Sequence, residues 1–189
     1  MKNPPDGPEL LHYSEEHLMH ELSMMRETAD ELPKHKAGTI LYTALLESFA
    51  THVRNLIEFL FHDIKRDYVR ARHFFDRPAD WPYKMTPDWQ RLYDRATHEV
   101  NHLPILRVDG DPSEKEWQVN DIITKFEPVL KEFVAKASPK KLHDKVRELF
   151  AQSPDNILLW IGDNVQHPNV AVAGPIVSSF PPSPDGTKK

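Results

Sequence analysis

The stretch that decides the fold is residues 39–62, TILYTALLESFATHVRNLIEFLFH. No proline occurs between Pro33 and Pro78, so a long helix can run through it without interruption. Apolar side chains recur there at steps of three and four residues, which predicts one amphipathic helix from about Thr39 to about His62. The predicted buried stripe is Leu41, Leu45, Phe49, Val53, Leu56, Ile57 and Leu60.

The opposite side of this predicted helix is polar. It carries Thr43, Glu47, Thr51, Arg54, Asn55, Glu58 and His62. Two interpretations stay open for this side. It is either the solvated face of an amphipathic helix or the lining of a groove, in which Glu47, Arg54 and Asn55 would support a site on another helix.

Prolines and N-capping residues mark the other helices. We predict a first helix from Ser14 to Pro33, with Glu15 and Glu16 in its first turn. A third predicted helix starts at Thr86 and stops at Pro104. A fourth starts at the capping box of residues 113–116 and should kink at Pro128, and a fifth starts at Ser138.

Because no segment alternates as a strand does, the fold class is predicted as all-α. The expected architecture is an up-and-down bundle of four long helices plus shorter C-terminal helices. Its expected boundaries are a flexible N-terminal segment (1–13), a helical bundle domain (14–152), a short apolar anchor (153–167) and a flexible Pro-rich tail (168–189).

Composition excludes several classes of protein. The 189 residues include no cysteine, which excludes a disulfide scaffold, a thiolate zinc site, an iron–sulfur cluster and a cysteine nucleophile. The six glycines form no phosphate-binding loop. No apolar run reaches the roughly 20 residues that a membrane span needs, and the first residues do not resemble a secretory signal. We therefore expect a cytoplasmic protein without a membrane partner.

The formal net charge is −5, but charge is unevenly distributed. Residues 1–32 hold two basic and eight acidic side chains. Residues 65–77 hold five basic and two acidic side chains, and residues 138–152 hold four and two. The two basic patches are either solvated helix faces or surfaces for anionic ligands or subunit contacts.

One string of the third predicted helix, His98-Glu99-Val100-Asn101-His102, has the HExxH pattern. On a helix its two imidazoles are one turn apart and suit two zinc ligands, with the glutamate as general base. A third ligand would have to come from Glu127, His143 or Glu148. A zinc-dependent hydrolase that uses His98 and His102 is therefore one alternative.

The same helix supports a reaction without a metal. Arg95 and His102 are two turns apart and share a stripe with Glu99. An arginine holds and neutralises a phosphate, and a histidine acts as general acid or base on the 2′-hydroxyl or the leaving oxygen of RNA. Arg95, His102 and Glu99 are therefore the candidate catalytic residues of a metal-independent endoribonuclease, for which no cofactor is expected.

The chain resembles the HEPN superfamily through Leu45–Leu60 (LLESFATHVRNLIEFL) and Arg95–Leu103 (RATHEVNHL). The spacing of Arg95 and His102 is similar to the Arg-x4–6-His motif of that superfamily. The resemblance implies an all-α fold and a role in intracellular defence or as a toxin, many HEPN proteins being ribonucleases. It also implies a homodimer with a composite site, RNA as substrate, and an antitoxin or other protein partner.

A noncatalytic HEPN-like interaction module is the main alternative. Ala96 directly follows Arg95, where many HEPN motifs have a polar residue. His17 and His20 lie on one face of the first predicted helix and could chelate a metal weakly. The favoured interpretation is that they are exposed side chains without a function.

Overall fold

A computed structural model of the chain describes residues 5–63, 68–100 and 117–151, with only the backbone of Glu99 and Val100 described. These residues include α-helices and short turns but no β-strand, which confirms the all-α prediction for this part of the chain. The helices are α1 (Gly7–Tyr13), α2 (Met19–Glu31), α3 (Ile40–Phe61), α4 (Pro87–Arg95), α5 (Val119–Lys136) and α6 (Asp144–Ala151).

Two π turns continue α1 and α4, at Ser14–Leu18 and Ala96–Val100. Shorter 3-10 turns lie at Leu32–Lys34, Ala71–Phe74 and Pro78–Asp80. Among the described residues, none of the helices is both long and apolar enough to cross a membrane.

The first helical segment begins earlier than predicted. Asp6 caps α1, since its Oδ1 accepts the Glu9 N–H at 2.9 Å and the Glu9 carboxylate accepts the Asp6 N–H at 3.1 Å. The prediction of a helix start at Ser14 is therefore wrong, because this capping box with Pro8 in the first turn is the stronger start signal. Leu10 of α1 is buried in the core.

Ser14 lies inside the helical run and is fully buried. Its hydroxyl donates to the Leu11 carbonyl at 2.9 Å and accepts the His143 N–H at 3.0 Å.

Helix α1 packs closely against the turn before α6. A Cβ atom placed on Gly7 would lie 3.2 Å from the Lys140 carbonyl oxygen, which leaves little room for a side chain there.

The central helix α3 has the bounds that the sequence predicts. Thr39 caps it by accepting the Tyr42 N–H at 3.3 Å, and His62 ends it. Phe49, Val53, Leu56, Ile57 and Leu60 are buried as expected.

At its N-terminal end the buried stripe of α3 differs from the prediction. Leu41 is 52% exposed and Ile40 is 90% exposed, whereas Tyr42 and Leu46 face the core. Steps of four and three residues from Tyr42 to Leu60 follow the helix period better than a run of steps of four from Leu41.

Helix α3 packs against α2 on one side and against the turn after α4 on another. Phe61 stacks on Trp89 with ring centroids 4.6 Å apart, and Trp89 in turn contacts Phe126 of α5. The segment between α3 and α4 is fixed by Trp81, whose indole N–H donates to the Leu60 carbonyl at 2.7 Å. Aromatic rings of three elements thus form one core.

The fifth helix begins later than predicted. Residues 138–143 form a turn in which the Ser138 N–H donates to the Phe74 carbonyl at 2.8 Å, and α6 begins at Asp144. The Arg147 guanidinium donates to the carbonyls of Val134 and Ala137, both at 2.8 Å, and so satisfies the C-terminal end of α5. The predicted capping box at 113–116, the apolar anchor and the tail lie outside the described residues.

Candidate functional site

Four polar side chains meet where α2 packs along α3. They are His20 and Glu21 from α2 and His52 and Asn55 from α3, and we call them the α2–α3 polar cluster. His52 and Asn55 are three residues apart and therefore share a face of α3. Glu21 precedes the fully buried Leu22, which places it at the edge of the apolar face of α2.

Glu21 is the centre of this cluster. Its Oε2 lies 2.7 Å from His52 Nδ1, and the Asn55 amide donates to its two oxygens at 3.3 and 3.2 Å. The side chains of His52 and Glu21 are only 11% and 25% exposed. Glu21 therefore fixes the orientation of the His52 ring in a half-buried setting.

The charge of Glu21 determines the tautomer of His52. Burial raises the pKa of Glu21, but the hydrogen bonds from His52 and Asn55 and the two nearby imidazoles outweigh it and bring the pKa below its ordinary value. Glu21 is thus a carboxylate at neutral pH and can only accept a hydrogen bond. His52 Nδ1 must then carry a hydrogen, which leaves Nε2 as the basic nitrogen of the neutral ring.

A second imidazole lies beside the first. The His20 ring meets the His52 ring edge-on, with centroids 5.4 Å apart. His20 is exposed to solvent, whereas His52 is buried. Two neighbouring imidazoles in such different surroundings are the kind of pair that can act as base and acid in one reaction.

The charges of this cluster and of a buried ion pair both act on Tyr13. Arg70 is 4% exposed and contacts Glu58 at 2.8 Å. Burial raises the pKa of Tyr13, and the charges of Glu21 and Glu58 raise it further, against the opposing effect of Arg70. Tyr13 therefore keeps its proton and lies within electrostatic reach of both pairs.

The predicted supporting residues are divided by the structure. Asn55 belongs to the α2–α3 polar cluster, and the half-buried Arg54 donates from Nη2 to Asn55 Oδ1 at 3.3 Å. Glu47 is exposed two turns earlier on α3 and lies outside the cluster. A groove that these three residues share with Arg95 and His102 stays a prediction, because His102 lies outside the described residues.

Arg95 stacks on a buried aromatic ring. Its guanidinium carbon lies 4.6 Å above the ring centre of Trp117, which is 1% exposed. Such a cation–π contact anchors the end of α4 to the segment before α5. His102, its predicted catalytic partner, lies outside the described residues, as does the Glu99 side chain, so the catalytic role of this set stays a prediction.

The backbone after Arg95 departs from regular α geometry. The π turn at Ala96–Val100 replaces the 3.6-residue period from which the shared stripe of Arg95, Glu99 and His102 was predicted. His98 is exposed on this turn.

Two of the other zinc-ligand candidates contact side chains of opposite charge type. Glu127 contacts Lys131 at 2.7 Å, and His143 lies 3.7 Å from Glu15. Within the part of the chain that the structure describes, no three metal-ligating side chains converge on one point. The zinc site at His98 and His102 stays a prediction, because His102 is outside that part.

No protein-family model, no curated protein and no solved structure matches this chain. The function must therefore be inferred from the chemistry of its own residues.

The sequence interpretation missed Glu21, His52 and His20 as members of a site. His52 and Asn55 at a spacing of three on a helix are a weak signal that was available. The pairing of His52 with Glu21 spans 31 residues and depends on how two helices pack, which no local pattern contains.

Proposed function

We propose that this protein is a metal-independent endoribonuclease of the kind that the HEPN resemblance implies, with His52 as its main proton-transferring group. The observation that carries the proposal is the 2.7 Å contact between His52 Nδ1 and the Glu21 carboxylate, supported by Asn55. A carboxylate that holds an imidazole in one tautomer also stabilises the imidazolium that forms when the ring takes a proton.

In the proposed reaction His52 Nε2 removes the proton of a ribose 2′-hydroxyl. The 2′-oxygen then attacks the adjacent phosphorus, a 2′-oxygen–phosphorus bond forms, and the bond to the 5′-oxygen of the next nucleotide breaks. Protonated His20, exposed beside His52, gives its proton to that leaving oxygen. One proton is taken up and one is released, so the products are a 2′,3′-cyclic phosphate and a free 5′-hydroxyl.

The finer features implied by the resemblance belong to the same proposal. These are the four-helix HEPN-like arrangement, a homodimer, a cytoplasmic location and a role in intracellular defence.

The rival location for the same chemistry is Arg95 with His102. The stack of Arg95 on Trp117 supports His52 instead, because the guanidinium that would have to hold the phosphate is already engaged in packing.

The test is cleavage of a mixed-sequence RNA in the presence of EDTA by wild type and by His52→Gln, Glu21→Gln and His102→Ala. We expect His52→Gln to lose about a hundredfold or more of the cleavage rate, the usual contribution of a general acid or base. His35→Gln is the matched control, since this half-buried histidine also pairs with a glutamate, Glu31, at 2.9 Å but lies outside the cluster. Wild type that cleaves nothing, or His52→Gln that cleaves as fast as His35→Gln, contradicts the proposal.

Loss of cleavage in His102→Ala with full activity in His52→Gln would place the reaction at Arg95 and His102 instead. Loss in both variants, with their folds intact, would mean that the two regions build one site.

A noncatalytic interaction module is the second candidate, and the exposed start of α3 favours it. Ile40 and Leu41 are adjacent aliphatic side chains, 90% and 52% exposed. Exposed aliphatic pairs are common at contacts between proteins, and the proposed occupant is a second copy of the chain. Ile40→Glu with Leu41→Glu should then lower the solution mass from dimer to monomer without a change in the free energy of unfolding of the monomer. A wild-type monomer at all concentrations would contradict this candidate.

A further inference from the structure

We propose that the surface made by Tyr68, Arg72, Lys140 and Lys141 binds single-stranded RNA and leads the strand towards His52. We call it the Tyr68 surface. That this strand is also the substrate rests on the proposed function, whereas binding of the strand to the surface can be measured without cleavage.

This surface combines two basic patches that are distant in the sequence. The Ser138 N–H donates to the Phe74 carbonyl at 2.8 Å, and Lys141 Nζ donates to the Phe75 carbonyl at 2.5 Å. The turn before α6 is therefore attached directly to the basic segment that follows α3. Cations from both patches thus contribute to one surface, which neither patch forms alone.

His73 lies in the positive environment that the two basic patches create. Burial lowers its pKa, and the charges of Arg70, Arg72 and Lys141 lower it further. The neutral ring accepts the Arg70 backbone N–H on Nδ1 at 2.9 Å and so fixes the chain beside Tyr68. Charges from both basic patches thus act on one buried imidazole.

Tyr68 offers an aromatic platform at the edge of these cations. It is 53% exposed, although the Arg70 guanidinium carbon lies 4.7 Å from its ring centre. Arg70 itself is buried and paired with Glu58, so it positions the ring and is not available to a ligand. A nucleobase can stack on the exposed side of the ring, as bases do on the aromatic side chains of proteins that bind single strands.

The neighbouring cations can contact the phosphates of such a strand. Lys140 is exposed, and Lys141 donates only to an uncharged carbonyl, which leaves its charge uncompensated by that contact. Arg72, whose side chain is 19% exposed, contacts Asp63 at 3.4 Å. Asp63 is 91% exposed, so a phosphate can take the place of this weakly held carboxylate. Lys and Arg beside an aromatic ring are the usual composition of a single-strand binding groove.

The surface also adjoins the proposed catalytic site. Arg70, which lies over the Tyr68 ring, pairs with Glu58 of α3 at 2.8 Å. Glu58 is one helical turn from Asn55, and Asn55 donates to Glu21 at 3.2 Å. Contacts therefore run from Tyr68 through the Arg70–Glu58 pair to the α2–α3 polar cluster. A strand that stacks one base on Tyr68 can follow this line of contacts towards His52.

A membrane is the less suitable partner for this surface. Asp63, Asp76 and Asp80 are exposed on the same part of the chain as the cations. A flat anionic bilayer would meet these carboxylates together with the lysines, whereas a flexible strand can follow the cations and avoid the carboxylates.

The test is fluorescence anisotropy with a labelled 2′-O-methyl oligouridine, which cannot be cleaved through a 2′-hydroxyl. Wild type, Tyr68→Ala, Tyr68→Phe and the double variant Lys140→Gln with Lys141→Gln are titrated in EDTA at several salt concentrations. The double variant Lys36→Gln with Lys125→Gln removes the same charge from exposed positions elsewhere and serves as the control.

We expect Tyr68→Ala to raise Kd about tenfold and Tyr68→Phe to leave it within about twofold, because stacking needs the ring and not the hydroxyl. The Lys140 and Lys141 double variant should raise Kd and reduce the slope of log Kd against log salt by about 1.4, as expected for two lost phosphate contacts on a single strand. The control should change neither quantity measurably.

Three results overturn the inference. Tyr68→Ala could bind like wild type, or the lysine control could weaken binding as much as the Lys140 and Lys141 variant does. The third is that wild type binds vesicles containing phosphatidylserine but not the oligonucleotide. These results leave the proposed function standing if His52→Gln still abolishes cleavage. Conversely, binding that depends on Tyr68 in a protein without cleavage activity supports the inference and contradicts the proposed function.

Discussion

Helix α3 at His52 and the π turn after α4 at His98 give two histidines opposite surroundings. His52 is buried against α2, and its Nδ1 is held by Glu21, whereas His98 is exposed on the surface. The two regions also differ in their arginines. Arg54 joins the polar network of its helix through Asn55, and Arg95 stacks on the buried Trp117. The comparison teaches that the chemistry of a side chain follows from its partners and its burial rather than from a short motif around it.

The largest effect should separate the two histidines directly. We expect His52→Gln to lower the rate of RNA cleavage about a hundredfold or more, and His98→Gln to leave it within about twofold. Cleavage rates with a fixed RNA substrate in EDTA measure both. If His98→Gln is the inactive variant, the reactive region is the π turn and the comparison is reversed.

The next effect concerns the group that orients His52. Glu21→Gln keeps the shape of the side chain but removes its charge, so the imidazolium loses its counter-charge and the ring loses its fixed tautomer. We expect a loss of about tenfold in kcat with little change in KM, and a shift of the pH profile. The matched variant Glu15→Gln, at a half-buried glutamate that pairs with Lys145, should leave both constants unchanged. Equal effects of the two substitutions would remove the reason to assign Glu21 a role.

The free energy of unfolding should depend on pH through the titration of the Glu21 carboxylate. Because the pKa of Glu21 in the folded protein lies below its ordinary value of 4.5, its contribution to stability is complete above that value. The contribution is lost as pH falls through the lowered pKa. We expect wild type to be more stable than Glu21→Gln by about 1 kcal/mol at neutral pH, and the difference to vanish in acid. Urea unfolding at a series of pH values measures it, and a difference that is constant with pH would contradict the assignment.

The smallest effect is expected in the other region. Arg95→Gln removes the cation above Trp117 but leaves the packing of the ring, so the free energy of unfolding should fall by about 0.5–1 kcal/mol. Arg91→Gln, at an exposed arginine of the same helix, is the control and should change stability less. Thermal unfolding of both variants measures the change in stability. A double-mutant cycle with Trp117→Leu tests its cause. If Arg95→Gln destabilises the Trp117→Leu protein as much as it destabilises wild type, the stack is not the cause.

Much of the helical structure could be predicted because it depends on neighbouring residues. The bounds of α3 agree with the prediction to within a residue at each end, since a long periodic stretch without proline has few alternatives. The predicted starts of the first and fifth helices were wrong because several capping residues near each start are possible. Asp6 with Glu9 begins the first segment rather than Ser14, and the backbone of Ser138 is committed to Phe74.

The candidate site could be predicted only in part. Asn55 and Arg54 were recognised as polar residues of α3, but the contact of Asn55 with Glu21 of α2 was not predicted. The same limit applies to the two basic patches, which the sequence identified separately and the fold brought together through Phe74 and Phe75.

The sequence by itself determined the all-α character, the length of α3 and the separation of apolar from polar faces, because hydrogen bonds and side-chain periodicity within a helix involve residues three or four apart. The tertiary structure alone decided that Glu21 meets His52 and that the turn before α6 meets the backbone of Phe74 and Phe75. Contacts between elements depend on how far each helix is rotated and shifted against its neighbour, and this is set by the packing of the whole core.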